Sequence, residues 1–462
     1  MKKLLLVLVF LLSTICATAQ VNNYYVSPSG SDSNDGSQAH PWKTLPHASQ
    51  AMHLGASGTT IHVTPGNYGD GSIFDIQAEG TATQPIVWIS DTPLGAKING
   101  DWRSGNKPDL SPGGDYNTIQ GFDIMSMNND EGILIGRHQY NGGGNFSKVL
   151  NNYVHDTGTY GSNNGPCGDD GAIAINSQTH DVLVDGNRIN RSGTPGGCFH
   201  TSGNYYGSSN HGIYVAGYHN TVTNNIVSNV AGAGVNLNHN PCWNVISNNT
   251  IFHNFLGGIN IGGDPDGIAP CATGTKDDYN TITNNLLVRN GYGQNCTGPG
   301  TPSPCYPHGA FAVRFYDSGG THNKAFNNYM AGNFLGQGVI CSGTGNSPTG
   351  GLANSIDCVT DVAPAPPPAM GANLGTRTNT NIFVNYQDDG SGDYQLANGS
   401  FAIGAGTVGS TACAASPGIG PCIPTTDFAG LPRANPLSIG AIEFGASATL
   451  PSAPSNLTAV VQ

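Results

Sequence analysis

Three residues precede the glycine of three similar short stretches: Glu131 before GILI, Asp170 before GAIAI and His211 before GIYV. If the stretches are strands stacked one above another, the three side chains lie on consecutive levels, ~4.8 Å from one to the next. Carboxylates that close raise one another's pKa, and a neighbouring carboxylate raises that of a histidine. Such a trio can serve as acid, base or cation site; the plainer reading is that Asp170 and His211 cap turns. Tyr214 adds a hydroxyl that could share the acid-base work. VHDTG at 154–158 and GDDG at 168–171 bring Asp156 and Asp169 to the same edge. Ca²⁺ takes roughly six to eight hard oxygen ligands, so Asp156, Asp169 and Asp170 are the expected ligands of a bound Ca²⁺, against the reading that they are solvated loop carboxylates.

What would position these residues is a repeat. FSKVLNNYV, DVLVDGNRI, NTVTNNIV, NVISNNTI, NTITNNLL and NKAFNNYM share an Asn at 152, 187, 225, 249, 285 and 328. The residues three before it (Val149, Val184, Val222, Ile246, Ile282, Ala325) and two after it (Val154, Ile189, Val227, Ile251, Leu287, Met330) are all apolar. A second column, EGILI, DGAIAI, HGIYV, AGVNL, GGINI and HGAFAV, alternates with the first and has the period-two pattern of strands. Where the chain is leanest the units sit ~22 to 24 residues apart, a solenoid spacing. Stacked coils bury a continuous core that no single coil could bury, and the Asn column reads as a ladder of side-chain amides bonded to one another and to turn backbone.

Insertions fall at 155–170, 190–211 and 288–308, always between the Asn strand and the Gly strand, whereas 228–232 and 252–256 stay short. Two walls with a gap make a cleft across the stack. If Ile213 and Val215 face the core, Tyr214 faces out, as do Asn236 and Asn260 on the next coils. That row suits sugar hydroxyls and ring faces, and otherwise is an ordinary solvated face.

The chain begins MKKLLLVLVFLLSTICATAQ, a basic start and a short apolar run with Ala17-Thr18-Ala19 placed for cleavage, so residues 1–19 are expected to be a signal peptide and the mature protein secreted. No later stretch is apolar enough to span a bilayer. Eleven cysteines, Cys16 lost with the signal, leave an even number for disulfides in an oxidising compartment. Cys296 with Cys305, Cys341 with Cys358 and Cys413 with Cys422 are near neighbours that could pair. Only 10% of residues are charged and the net charge is -13, which excludes nucleic acid as a partner. An anionic polysaccharide would also be repelled unless a bound cation or a local basic patch overrides the net field.

With its Asn column, its Gly strands, a start reading YYVSPSGSDSNDGSQAHPWKTLPHASQAM and a late segment NIFVNYQDDGSGDYQLANGSFAIGAGT, the chain resembles the secreted right-handed parallel β-helix proteins of the pectate-lyase-like superfamily. The resemblance implies an all-β, right-handed parallel β-helix as one elongated domain over 20–446, expected to be monomeric. Residues 447–462, with PSAPSNLTAVVQ, are similar to the start of a fibronectin type III module. It further implies a carbohydrate-active protein, first a polysaccharide lyase acting on a uronate-containing polymer by β-elimination. Family lyases commonly use Lys or Arg as base; Lys148, Arg188 and Arg314 are present, though no motif selects one, and His211 or Tyr214 could substitute. GDDGAIAI followed by HGIYV also resembles the paired-acid elements of polygalacturonases, a hydrolase reading, though other elements of that family are missing. The third reading is a noncatalytic β-helix that binds glycans at the cell surface.

Overall fold

A computed structural model of the chain describes residues 22–52, 58–69, 73–76, 78–104, 114–125, 131–136, 142–158, 171–193, 210–239, 241–262, 279–291, 311–316, 323–331, 333, 336–342, 360–361, 382–406 and 423–445. The expected signal peptide at 1–19, the residues 447–462 and the near-neighbour cysteine pairs lie outside these residues, wholly or in part.

The coil is a right-handed parallel β-helix. Sheet A has eleven strands and sheets B and C nine each, all paired in parallel with partners one turn of the coil away. One turn shows the plan: Thr221–Thr223 joins sheet A, Ile226–Ser228 joins sheet B and Ala233–Leu237 joins sheet C. Inward side chains repeat from coil to coil, so Ile133, Ile173, Ile213, Val235, Ile259 and Val313 form one buried column of sheet C. Each such side chain contributes about 1.5–3 kcal/mol by leaving water. The helix Leu45–Met52 lies near the N-terminal end, adding Leu45 and Ala48 to the same core.

Corners are held by asparagine. At the A-to-B corner Asn152, Asn187, Asn225, Asn249, Asn285 and Asn328 pass Nδ2-to-Oδ1 bonds of 2.9–3.0 Å along the column and donate to carbonyls of the coil before. Two further ladders flank it. Asn244, Asn280 and Asn323 bond in series at the C-to-A corner, and Asn254, Asn290 and Asn333 at the B-to-C corner.

After the stack the chain turns back. The antiparallel hairpin of Phe383–Asn385 with Asp393–Leu396 lays Phe383, Tyr394 and Leu396 over Phe252, Leu286 and Val288 on the outer face of sheet B. Cys242 is disulfide-bonded. Among the described residues no helix is long and apolar enough to cross a membrane.

Candidate functional site

The three expected insertions fall between sheets B and C as read from the sequence, but a further long connection, from Ile261 of sheet C to Thr281 of sheet A, leaves a different turn. Sheet B strands ending at Thr157, Ser192 and Val288 reach sheet C only at Gly171, His211 and Phe311, whereas Ser228 connects to Ala233 and Phe252 to Gly257. The two short connections lie between the second and third long ones. Across the sheet C strands of this gap, Tyr214, Asn236, Asn260 and Arg314 pair residue to residue and form one outward row.

His211 stands beside this row. Its ring stacks on Tyr214 at 5.8 Å between centroids, and its Nδ1 accepts the backbone N–H of Ala233 at 2.9 Å. That bond places the imidazole proton on Nε2. Burial pushes the His211 pKa down to about 3, so the ring is neutral at ordinary pH. Gly232 makes the approach possible, because a Cβ there would stand 2.5 Å from His211 Nδ1. On the far side of Tyr214, Asn238 Nδ2 donates to its hydroxyl at 3.3 Å and the His239 ring meets it edge-on. Two amide oxygens of this cluster, Asn238 Oδ1 and Asn260 Oδ1, are buried without a hydrogen-bond partner among the described residues.

Two expectations need correction. Strand pairing sets Gly171 level with His211, so the column that holds Glu131 and His211, two coils or ~9.6 Å apart as expected, has a glycine on the level between them, and Asp170 lies outside the described residues. The inward pairs Ile173/Ile175 and Ile213/Val215 fix that register. The second correction concerns the floor: Tyr214, Asn236, Asn260 and Arg314 are each less than a tenth exposed, as are His211 and Glu131, so the row is a buried polar seam and not a solvated face.

Of the expected Ca²⁺ ligands, Asp169 and Asp170 lie outside the described residues. Asp156 fits a metal poorly. Its Oδ2 accepts from His155 Nδ1 and from Arg191 Nη2, each at 2.6 Å, and although burial acts to raise its pKa these bonds hold it below the usual carboxylate range. Among the described residues no group of three His, Cys, Asp or Glu side chains is arranged to hold a metal ion.

Asp156 belongs instead to a network on the outer face of sheet B. His155 also bonds Asp123 at 2.7 Å through Nε2 and stacks on Tyr153, over which Arg188 lies. Burial pulls the His155 pKa down, but the two carboxylates more than offset it and the net shift is upward. Of this network the sequence reading picked out Asp156 and, as one of the cationic candidates for a base, Arg188. VHDTG displayed the His-Asp pair, yet nothing local marks Asp123, which is 32 residues away, as its partner.

No protein-family profile matches the chain. Over 77 residues it is 36% identical to the uncharacterized protein YwoF of Bacillus subtilis (strain 168), a match that spans 17% of this chain and 15% of that protein's length. It is similar in structure to a pectate lyase, Pel9A, at a TM-score of 0.43 and 16% identity, covering 92% of this chain and 98% of that one. It is also similar to a glycoside hydrolase at a TM-score of 0.42 and 9% identity, covering 67% of this chain and 88% of that one. The fold assignment rests on the three parallel sheets themselves.

Proposed function

We propose that this is a secreted carbohydrate-active protein that cleaves a uronate-containing polysaccharide by β-elimination on the outer face of sheet C. The observation that carries the reading is the seam of Tyr214, Asn236, Asn260 and Arg314, with two unpartnered amide oxygens, set between the inserted connections. A buried acceptor without a donor costs about 1–3 kcal/mol, and sugar hydroxyls are the donors such a row would take. Arg314 suits a carboxylate, which guanidinium binds through two parallel bonds. It lies three coils from Tyr214, ~14 Å, and so serves a sugar other than the one that reacts.

In the elimination, the proton beside the uronate carboxyl leaves to a base, its electron pair becomes the ring double bond, the bond to the glycosidic oxygen breaks and that oxygen takes a proton. His211, neutral and with Nδ1 engaged, offers only a donor at Nε2. Tyr214 is therefore the group assigned the proton transfers: as phenolate it takes the proton beside the carboxyl, and the phenol so formed returns it to the departing glycosidic oxygen, with His211 and Asn238 positioning its hydroxyl. Ca²⁺ held by Asp169 and Asp170 would supply neutralisation of the reacting carboxylate.

A second reading, glycan binding without cleavage, draws on a specific observation: His211 cannot act as a base in its present bonding, because Nδ1 already accepts the Ala233 N–H. The decisive experiment is a panel of uronate-containing and neutral polysaccharides with and without chelator. New absorbance from unsaturated ends, lost by a factor of about 100 or more in Tyr214→Phe with binding retained, supports the lyase. Reducing ends without that absorbance point to hydrolysis; binding without products points to the second reading. Both readings need the seam to open to a polymer, and shielding of Tyr214 from nitration by a uronate oligosaccharide reports that opening.

A further inference from the structure

The coil turns three corners, and at each the residue before the ladder position takes the same left-handed backbone, φ 51–59° for the side-chain-bearing residues. Glycine and asparagine meet that requirement at least cost, and bulky or charged side chains are uncommon there. The A-to-B corner obeys: Asn151, Gly186, Asn224, Asn248, Asn284 and Asn327. The B-to-C corner, which borders the face carrying the seam, has Asp156, Arg191, Asn229, His253 and Arg289, and the C-to-A corner carries Tyr116, Phe146, His219, Trp243 and Tyr279 in the same conformation.

Those arginines face an acidic tip. Asp388 Oδ2 accepts from Arg289 Nη1 at 3.0 Å and Arg188 Nη2 donates to the Gly390 carbonyl, while Arg191, bonded to Asp156 Oδ2 at 2.6 Å, also has Asp389 within electrostatic reach. The tip does not rely on them for its shape. Ser391 closes onto Asp389 through both its N–H and its hydroxyl, and Tyr394 donates to the Gln387 carbonyl at 2.6 Å.

We propose that the arginine-lined corner of Arg188, Arg191 and Arg289 is a binding site for the carboxylates of an anionic glycan, occupied in the free protein by the acidic tip Asp388–Asp389. The glycan class rests on the function proposed above, but the site stands on its own geometry. Arg289 and Asp388 are each about 40% exposed, and ion pairs so exposed contribute little, so an outside carboxylate can replace the tip. Several carboxylates on one chain gain further by acting together. The short connections at 229–232 and 253–256 leave His253, Phe255 and Leu256 part-exposed beside it, continuous with the gap that leads to the seam.

The test is binding, not turnover. Polygalacturonate, polymannuronate, a neutral dextran and dextran sulfate are run in affinity electrophoresis against the full chain, the double variant Asp388→Asn/Asp389→Asn, and Arg289→Gln. The expected result is roughly fivefold tighter uronate binding in the double variant, several-fold weaker binding in Arg289→Gln, and no change with dextran. Unchanged uronate binding with a lowered Tm in the double variant overturns the proposal and makes the tip a structural anchor. Preference for dextran sulfate over both uronates also overturns it, as a generic polyanion patch. If uronate binding tightens while no substrate is ever cleaved, the elimination reading fails and this site stands.

Discussion

Asp185 is a carboxylate held against its own ionisation. It accepts from Asn224 Nδ2 at 2.8 Å, but burial dominates and raises its pKa to about 6, with the Asn224 bond and the Arg433 charge only partly opposing. A raised carboxylate pKa means that the folded state binds the proton more tightly than the unfolded chain. Its cost is absent below the unfolded pKa of 3.8, grows as pH rises towards about 6, and is fully present above that. A shift of that size corresponds to at most about 3 kcal/mol. Asp185→Asn keeps the acceptor and removes the charge, so thermal melts should show Tm raised by several degrees at pH 7.5 and no gain near pH 3.5; equal melts at both would refute it. His155 carries the opposite sign. Its raised pKa stabilises the fold below the unfolded histidine value and that support is lost as pH climbs through the folded one.

At the scale of the element, the ladders decide. Asn225 accepts from the N–H and Nδ2 of Asn187 and donates to Asn249 Oδ1 and to the carbonyls of Val184 and Thr223. Asn225→Ala leaves these buried groups without partners, at about 1–3 kcal/mol for each that finds no water. Asn328, partly exposed, loses less. Denaturant titration should place the Asn225→Ala loss at about 3 kcal/mol and that of Asn328→Ala at under half of it, and equal losses would mean that the bonds do not act as a column. The first ladder was legible because its Asn sits in six aligned copies. The other two were equally present, as Asn recurring every five residues in NVISNNTIFHN and NTITNNLLVRN, and went unread because the corners between strands had not yet been placed. That Gly171 stands level with His211 has a similar origin. Glycine is an attractive marker for alignment, but burial of Ile173 and Ile213 is what sets register.

At the scale of the whole molecule, one clasp ties the returning C-terminal segment to the coil. Arg433, with a side chain 3% exposed, donates to Asn224 Oδ1 and to the carbonyls of Gly440 and Ala441, and pairs with Glu443 at 3.4 Å. Removing one partner of a buried pair costs about 3–5 kcal/mol. Arg433→Ala should therefore release the segment over 423–445 to limited proteolysis while the stack itself stays resistant; cleavage no faster than in the parent protein would show that apolar contacts with Phe252 and Leu286 suffice to hold it. The coil and its core columns could be read from residue order, because each contact joins equivalent places one turn apart and a short period records it. The same order marked the corner that carries the insertions and the outward row of Tyr214, Asn236 and Asn260. The burial of that row, the capture of Asp156 by His155 and Arg191, and the meeting of Arg188 with Gly390, 202 residues away, were decided only by tertiary structure. No local period encodes which distant segment will fold back onto a surface; that choice belongs to shape and charge once the coil exists.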